Sequence, residues 1–129
     1  RLPRDMRVGT AGQGYNVYMG NYRVRAGDQG EVTFHLYNGN ARVDLTSADR
    51  VNMIVKDSTG NSVTYASDAG TPIIAITDEA AGVVVLSPPD ADFWSSDIEY
   101  YDIHLEVEWP SSPTAAYPRV GFHRFEVEL

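Results

Sequence analysis

Tyr100-Tyr101-Asp102-Ile103-His104-Leu105-Glu106-Val107-Glu108-Trp109-Pro110 decides the fold class of this chain. From Tyr101 to Trp109 large apolar residues alternate strictly with polar ones. Tyr101, Ile103, Leu105, Val107 and Trp109 fall on one parity; Asp102, His104, Glu106 and Glu108 fall on the other. A period of two turns successive side chains to opposite faces, so this segment predicts a strand with one face in a core and the other in water. One wet face is the mark of antiparallel sheets, whose hairpins leave a face uncovered.

Working outward, the same alternation recurs in shorter pieces. Val17 to Val24 predicts a first strand interrupted at Gly20, and Ala26-Gly27-Asp28-Gln29-Gly30 has turn composition. Glu31 to Tyr37 places Val32, Phe34 and Leu36 inward. Asn38-Gly39-Asn40 is a tight-turn signal, and Val43 to Asp49 reads as a corner. Arg50 to Asp57 puts Val51, Met53 and Val55 on one face, and Asp57 to Asn61 turns it into Val63-Thr64-Tyr65. Ile73 to Thr77 predicts a short strand, and Val83 to Leu86 one buried on both faces. Ser87 to Trp94 cannot extend it, because proline donates no ladder bond; Asp90 to Ser95 is read as one helical turn. His123 to Leu129 closes the chain with Phe125, Val127 and Leu129 inward. About seven or eight short strands joined by turns, with no long helix, predict an all-β, immunoglobulin-like antiparallel sandwich over residues 17–129. Tyr100 or Tyr101 stands where such sandwiches carry a tyrosine corner, its hydroxyl bonded to backbone upstream.

Residues 1–16 read as an extended N-terminal arm: Pro3, Gly9, Gly12 and Gly14 break any periodicity, and too little apolar surface is present to fold alone. A chain opening on Arg1 rather than Met is consistent with trimming. The 129 residues carry a net charge of −8, unevenly spread. Arg1, Arg4, Arg7, Arg23 and Arg25 face the lone Asp5 within residues 1–25, while the remainder is strongly acidic. Such a body repels nucleic acid and anionic lipid, so neither is expected as a partner. A basic arm on an acidic body suits a neighbouring acidic surface, including another copy. The partner-binding residues expected are Arg1, Leu2, Arg4, Met6, Arg7 and Val8 on the arm, with Arg23 and Arg25 just beyond it.

Chemistry is hard to place. With no cysteine, disulfides, thiolate metal sites and thiol nucleophiles are excluded. No run approaches the ~18 apolar residues of a membrane helix, and no secretory apolar region is visible at the start. His35, His104 and Glu106 would approach a metal only if their strands were neighbours; zinc needs a tight tetrahedron, and no H-x-H or H-E-x-x-H spacing occurs. Asp90-Ala91-Asp92 echoes only two residues of a calcium loop. No serine elbow, triad order or phosphate loop is present. Neither catalytic residues nor a cofactor are expected. Tyr15, Tyr18, Tyr22, Tyr37, Trp94 and Tyr117, if exposed in a line, would stack on sugars in the manner of a carbohydrate-binding module; tyrosine and tryptophan also serve as core and interface anchors.

The order of these pieces from Tyr22 to Leu129 resembles the immunoglobulin-like N-terminal domain of tailed-phage baseplate upper proteins and related phage tail and virion structural proteins. The resemblance rests on Glu31 to Tyr37, the corner Val43 to Ala48, Val51 to Asp57, Thr77 to Val85, Tyr101 to Pro110, Tyr117-Pro118, and the closing Phe125-Glu126-Val127-Glu128-Leu129. The chain departs from the pattern at Ile98-Glu99, where a glycine usually precedes the tyrosine, and at Ser111 to Thr114, where an Asp-Gly turn usually follows Trp-Pro. Loops that carry partner choice are therefore expected to differ. The resemblance implies a non-catalytic virion component, in the tail, the baseplate or on the head, homo-oligomeric in the particle and packed against copies of itself and other virion proteins. Capsid decoration and host-surface adhesion are the alternatives.

Overall fold

The computed structural model describes residues 21–70, 72–111, 113–117 and 122–129, and the backbone of residues 14–17. The described chain is all-β. Its strands are β1 (Gly14–Val17), β2 (Asn21–Arg25), β3 (Glu31–His35), β4 (Tyr37–Asn38), β5 (Ala41–Arg42), β6 (Arg50–Asp57), β7 (Ser62–Ala66), β8 (Ile74–Asp78), β9 (Val83–Leu86), β10 (Tyr100–Glu108), β11 (Ala115–Tyr117) and β12 (His123–Glu128). Two sheets form the sandwich. One has the order β1-β3-β9-β8; the other runs β2-β12-β10-β6-β7, with β11 added on β10. The two-residue strands β4 and β5 make a small hairpin between them.

The long strand β10 is the spine. It pairs antiparallel with β6 over eight rungs, from Tyr101–Asp57 to Glu108–Arg50, and with β12 on its other side. Its inward parity is the expected one: Tyr101, Ile103, Leu105 and Val107 are buried, and Trp109 is half-buried. Opposite them, β3 and β9 contribute Val32, Phe34, Val84 and Leu86, all buried. Tyr22, Val24, Val51, Met53, Ile74 and Phe125 complete the core, and the corner between β5 and β6 adds Val43 and Leu45. Apolar side chains gathered from both inner faces hold the two layers together, as in any sandwich.

Several expectations change. The pairings are not all antiparallel: β1 runs parallel to β3 and β2 parallel to β12. β1 lies in one sheet and β2 in the other, so the predicted first strand is two strands, and neither is joined to its partner by a hairpin. Gly14 to Asn16, placed in the arm, belong to β1; the rest of the predicted arm, residues 1–13, lies outside the described residues. β9 is not buried on both faces: Val84 and Leu86 are buried, but Val83 and Val85 are half-buried on the outer face of the smaller sheet. Residues 90–95 form turns rather than a helical turn, with Phe93 N donating to Asp90 O at 3.4 Å. Leu129 is not inward. It follows the last rung, Glu128–Arg25, and is 87% exposed.

Candidate interaction surface

The 87–99 loop between β9 and β10 plugs one end of the core. Trp94 is the largest fully buried side chain of the described residues. It stacks on Phe125 at 5.4 Å and meets Tyr101 and Phe93 edge-on at 5.2 and 4.9 Å. The Tyr101 hydroxyl accepts the Ser95 N–H at 3.0 Å, so the tyrosine corner is Tyr101 and it pins the loop that carries Trp94. Burial pushes the Tyr101 phenol above its ordinary pKa. Trp94 and Tyr22 thus leave the predicted row of sugar-stacking aromatics for the core. Tyr37 and Tyr117 are half-buried on separate strands, β4 and β11. Tyr18 and the side chain of Tyr15 lie outside the described residues. The described members of that row form no exposed line.

The histidines separate likewise. His35 stands on β3 in one sheet and His104 on β10 in the other, so the supposed metal trio is not assembled; His104 Nε2 instead lies 3.1 Å from Glu106 Oε2 on its own strand. Among the described residues no group of three His, Asp or Glu could hold a metal ion. His123 faces inward between the rings of Tyr22 and Phe34, at 6.3 and 6.0 Å. Its Nδ1 is buried without a hydrogen-bond partner among the described residues. Burial, with a smaller contribution from His104, pushes its pKa down to about 4.

What the sandwich presents outward is a charged sheet face. Arg124 on β12 makes a two-pronged contact with Asp102 on β10, Nε to Oδ1 at 2.8 Å and Nη2 to Oδ2 at 3.0 Å. Its guanidinium lies 3.8 Å over the Tyr100 ring and 5.5 Å from that of Phe122, which is 48% exposed. The hydrogen bond to Asp102 leads the influences that hold the Arg124 pKa above its usual value. Further along, Arg50 contacts Glu108 at 2.5 Å and Asp68 at 3.0 Å, and Asn52 donates to Glu108. The sequence reading missed the Arg124 group. The alternation of β12 puts Arg124 outward, but only the β10–β12 register brings it opposite Asp102.

The predicted partner residues fall in two sets. Arg1, Leu2, Arg4, Met6, Arg7 and Val8 lie outside the described residues. Arg23 and Arg25 are exposed on β2, where the register sets them opposite Glu126 and Glu128. Arg23 lies 3.4 Å from Glu128 and 3.8 Å from Glu126, so it is engaged in tying β2 to β12. At the same end of the sandwich, the turns 26–30 and 58–61 and the loop 87–99 are joined by hydrogen bonds: Gly27 N to Trp94 O at 3.0 Å, Ser58 N to Tyr100 O at 3.0 Å and Glu99 N to Ser58 Oγ at 3.1 Å. This end carries Asp28, Asp57, Asp90, Asp92, Asp97 and Glu99. Hydrogen bonds from Thr59 hold the Asp57 carboxyl below its ordinary pKa. Gly14, opposite Glu31, brings the chain in at this acidic end.

No family model matches the chain, and no curated protein matches it. Among solved structures, its fold is similar to the N-terminal domain of phage TP901-1 ORF48, with a TM-score of 0.57 and 5% sequence identity, over 91% of this chain and 99% of that one.

Proposed function

We propose that this chain is a non-catalytic structural module of a bacteriophage virion, tail- or baseplate-associated or on the head, that assembles by packing its sandwich and its basic N-terminal arm against neighbouring subunits, copies of itself included. The observation that carries this reading is that a phage protein's N-terminal domain shares the fold along nearly its whole length. The placement of charge supports the arm's part in it. The segment bearing Arg1, Arg4 and Arg7 joins the sandwich at the end where Asp28, Asp57, Asp90, Asp92, Asp97 and Glu99 gather, a complement for the arm of an adjacent copy. An arm that orders on binding loses chain entropy but covers a large surface, and repetition in a symmetric particle multiplies weak contacts.

The test is to find the chain in an assembled particle. Purified virions should contain it in stoichiometric amount by mass spectrometry, and labelled antibody should mark one fixed location by electron microscopy. Particles that lack the chain entirely would end this reading.

A further inference from the structure

We propose that β7 is a self-pairing edge through which two copies of this chain join antiparallel about Thr64, making one continuous sheet across a two-fold axis. This deepens the assembly reading by naming one self-contact.

The edges of the described sheets are not alike. β8 is broken by a register shift between Ile76 and Asp78, and a bulge spoils an edge as a template for another strand. β2 presents Arg23 and Arg25, and charge guards an edge in the same way. β7 has neither device. Ser62, Val63, Thr64, Tyr65 and Ala66 pair with β6 over five unbroken rungs, with no charge, proline or glycine among them. Ser62, Val63 and Thr64 are exposed.

The hydrogen-bond parity selects the centre. Asp57 N donates to Asn61 O at 2.9 Å below β7, and Ser67 N donates to Val51 O at 2.9 Å above it. In an antiparallel pair, bonded and non-bonded rungs alternate. Val63 and Tyr65 therefore turn their backbone groups toward β6, while Ser62, Thr64 and Ala66 turn theirs to the free side. A two-fold axis beside Thr64 makes Thr64 bond to its own copy, and sets Ser62 against Ala66 of the second copy. The Ala66 carbonyl already accepts the Ala69 N–H at 3.3 Å, which leaves about four unencumbered backbone hydrogen bonds.

Side chains agree with that register. Val63 shares the inward parity of Val55 yet is 47% exposed. The pairing sets it against Tyr65 of the second copy, twice by symmetry, a β-branched and aromatic cross-strand pair of the stabilising kind. Charge is complementary as well. Lys56, beside Ser62, is exposed and has no ion pair among the described residues. The pairing carries it toward the Arg50, Asp68 and Glu108 group of the second copy, whose net charge is negative. No like charges meet on the strand itself, although the molecule carries −8 overall. A self-complementary patch is what an isologous dimer requires.

Sedimentation of the full chain across a concentration series should show a species of twice the 14.2 kDa chain mass. Thr64→Lys, which sets two cations across the axis, should weaken that association about tenfold or more. The equivalent change on β8, Thr77→Lys, should leave it unchanged. The chain has no cysteine, so Thr64→Cys gives an independent reading: rungs of this kind place Cα atoms about 5.5 Å apart, within disulfide reach. Mild oxidation should therefore yield a covalent dimer from Thr64→Cys and none from Thr77→Cys. A wild-type chain that stays monomeric throughout, or a dimer untouched by Thr64→Lys and not cross-linked through Thr64→Cys, overturns the pairing. A Thr64→Lys chain still found in virions would locate the failure here and leave the assembly reading standing.

Discussion

Tyr101 joins two levels of the structure in one side chain: its ring meets Trp94 inside the core, and its hydroxyl accepts the Ser95 N–H that positions Trp94. Tyr101→Phe keeps the ring and removes the acceptor, leaving a part-buried amide unpaired. Urea unfolding should show a loss of about 1–2 kcal/mol. Gly82 is tied differently. Its φ of +68° and a would-be Cβ only 2.5 Å from the Val43 carbonyl oxygen leave no room for a side chain, and both obstacles are backbone. Gly82→Ala should cost about 3 kcal/mol, and thermal unfolding would register it; a change within error would mean the 79–82 turn moves freely away from the corner. His123 gives the fold a pH dependence. Its pKa is about 4 in the fold, against 6.5 when exposed, so the unfolded chain takes up the proton first. Stability contributed by the neutral ring is whole above pH 6.5 and drains away as pH falls toward 4, by up to about 3 kcal/mol. Wild-type stability measured from pH 7 to 4 should fall, and His123→Leu should flatten this part of the curve; an unchanged slope would show that carboxylates alone carry the acid sensitivity.

Among the elements, β10 and β12 show what alternation can reveal and what it cannot. The inward parity of β10 was readable because five large apolar residues repeat at a period of two without interruption. Leu129 misled because an apolar residue on the correct parity, one position past the last rung, has no sheet opposite to cover it. Trp94 misled for the opposite reason: it sits in a proline-bearing loop with no periodicity, and only the closing of the sandwich turns that loop inward. The Arg124–Asp102 pair depends on register, which is set by the hairpins and core of distant segments. Its consequence can be measured. Arg124→Lys keeps the charge but loses the two-pronged contact and the guanidinium's place over the Tyr100 ring. The variant should melt at a lower temperature than the wild type, with faster amide exchange along β12; equal values would mean the face contributes nothing beyond its charge.

For the whole molecule, the sequence carries a division that the fold makes spatial. Arginines crowd the first 25 residues and acids the remainder, and the topology brings Gly14 in beside the acidic loops at one end of the sandwich. Composition alone could show the imbalance, but not that three loops distant in sequence share that end. If the arm engages this end of a neighbour, the attraction is between exposed charges, and a Debye length near 10 Å at about 0.1 M salt should weaken it steeply as salt rises. Deleting residues 1–13 leaves β1 and every described core residue in place, so the unfolding temperature should hold within a degree or two while salt-sensitive association and incorporation into particles are lost. Replacing Arg1, Arg4 and Arg7 together with glutamine should reproduce most of that loss without shortening the chain. A truncated chain that incorporates as well as the full one would leave the sandwich faces, with β7 foremost, as the surfaces that build the assembly.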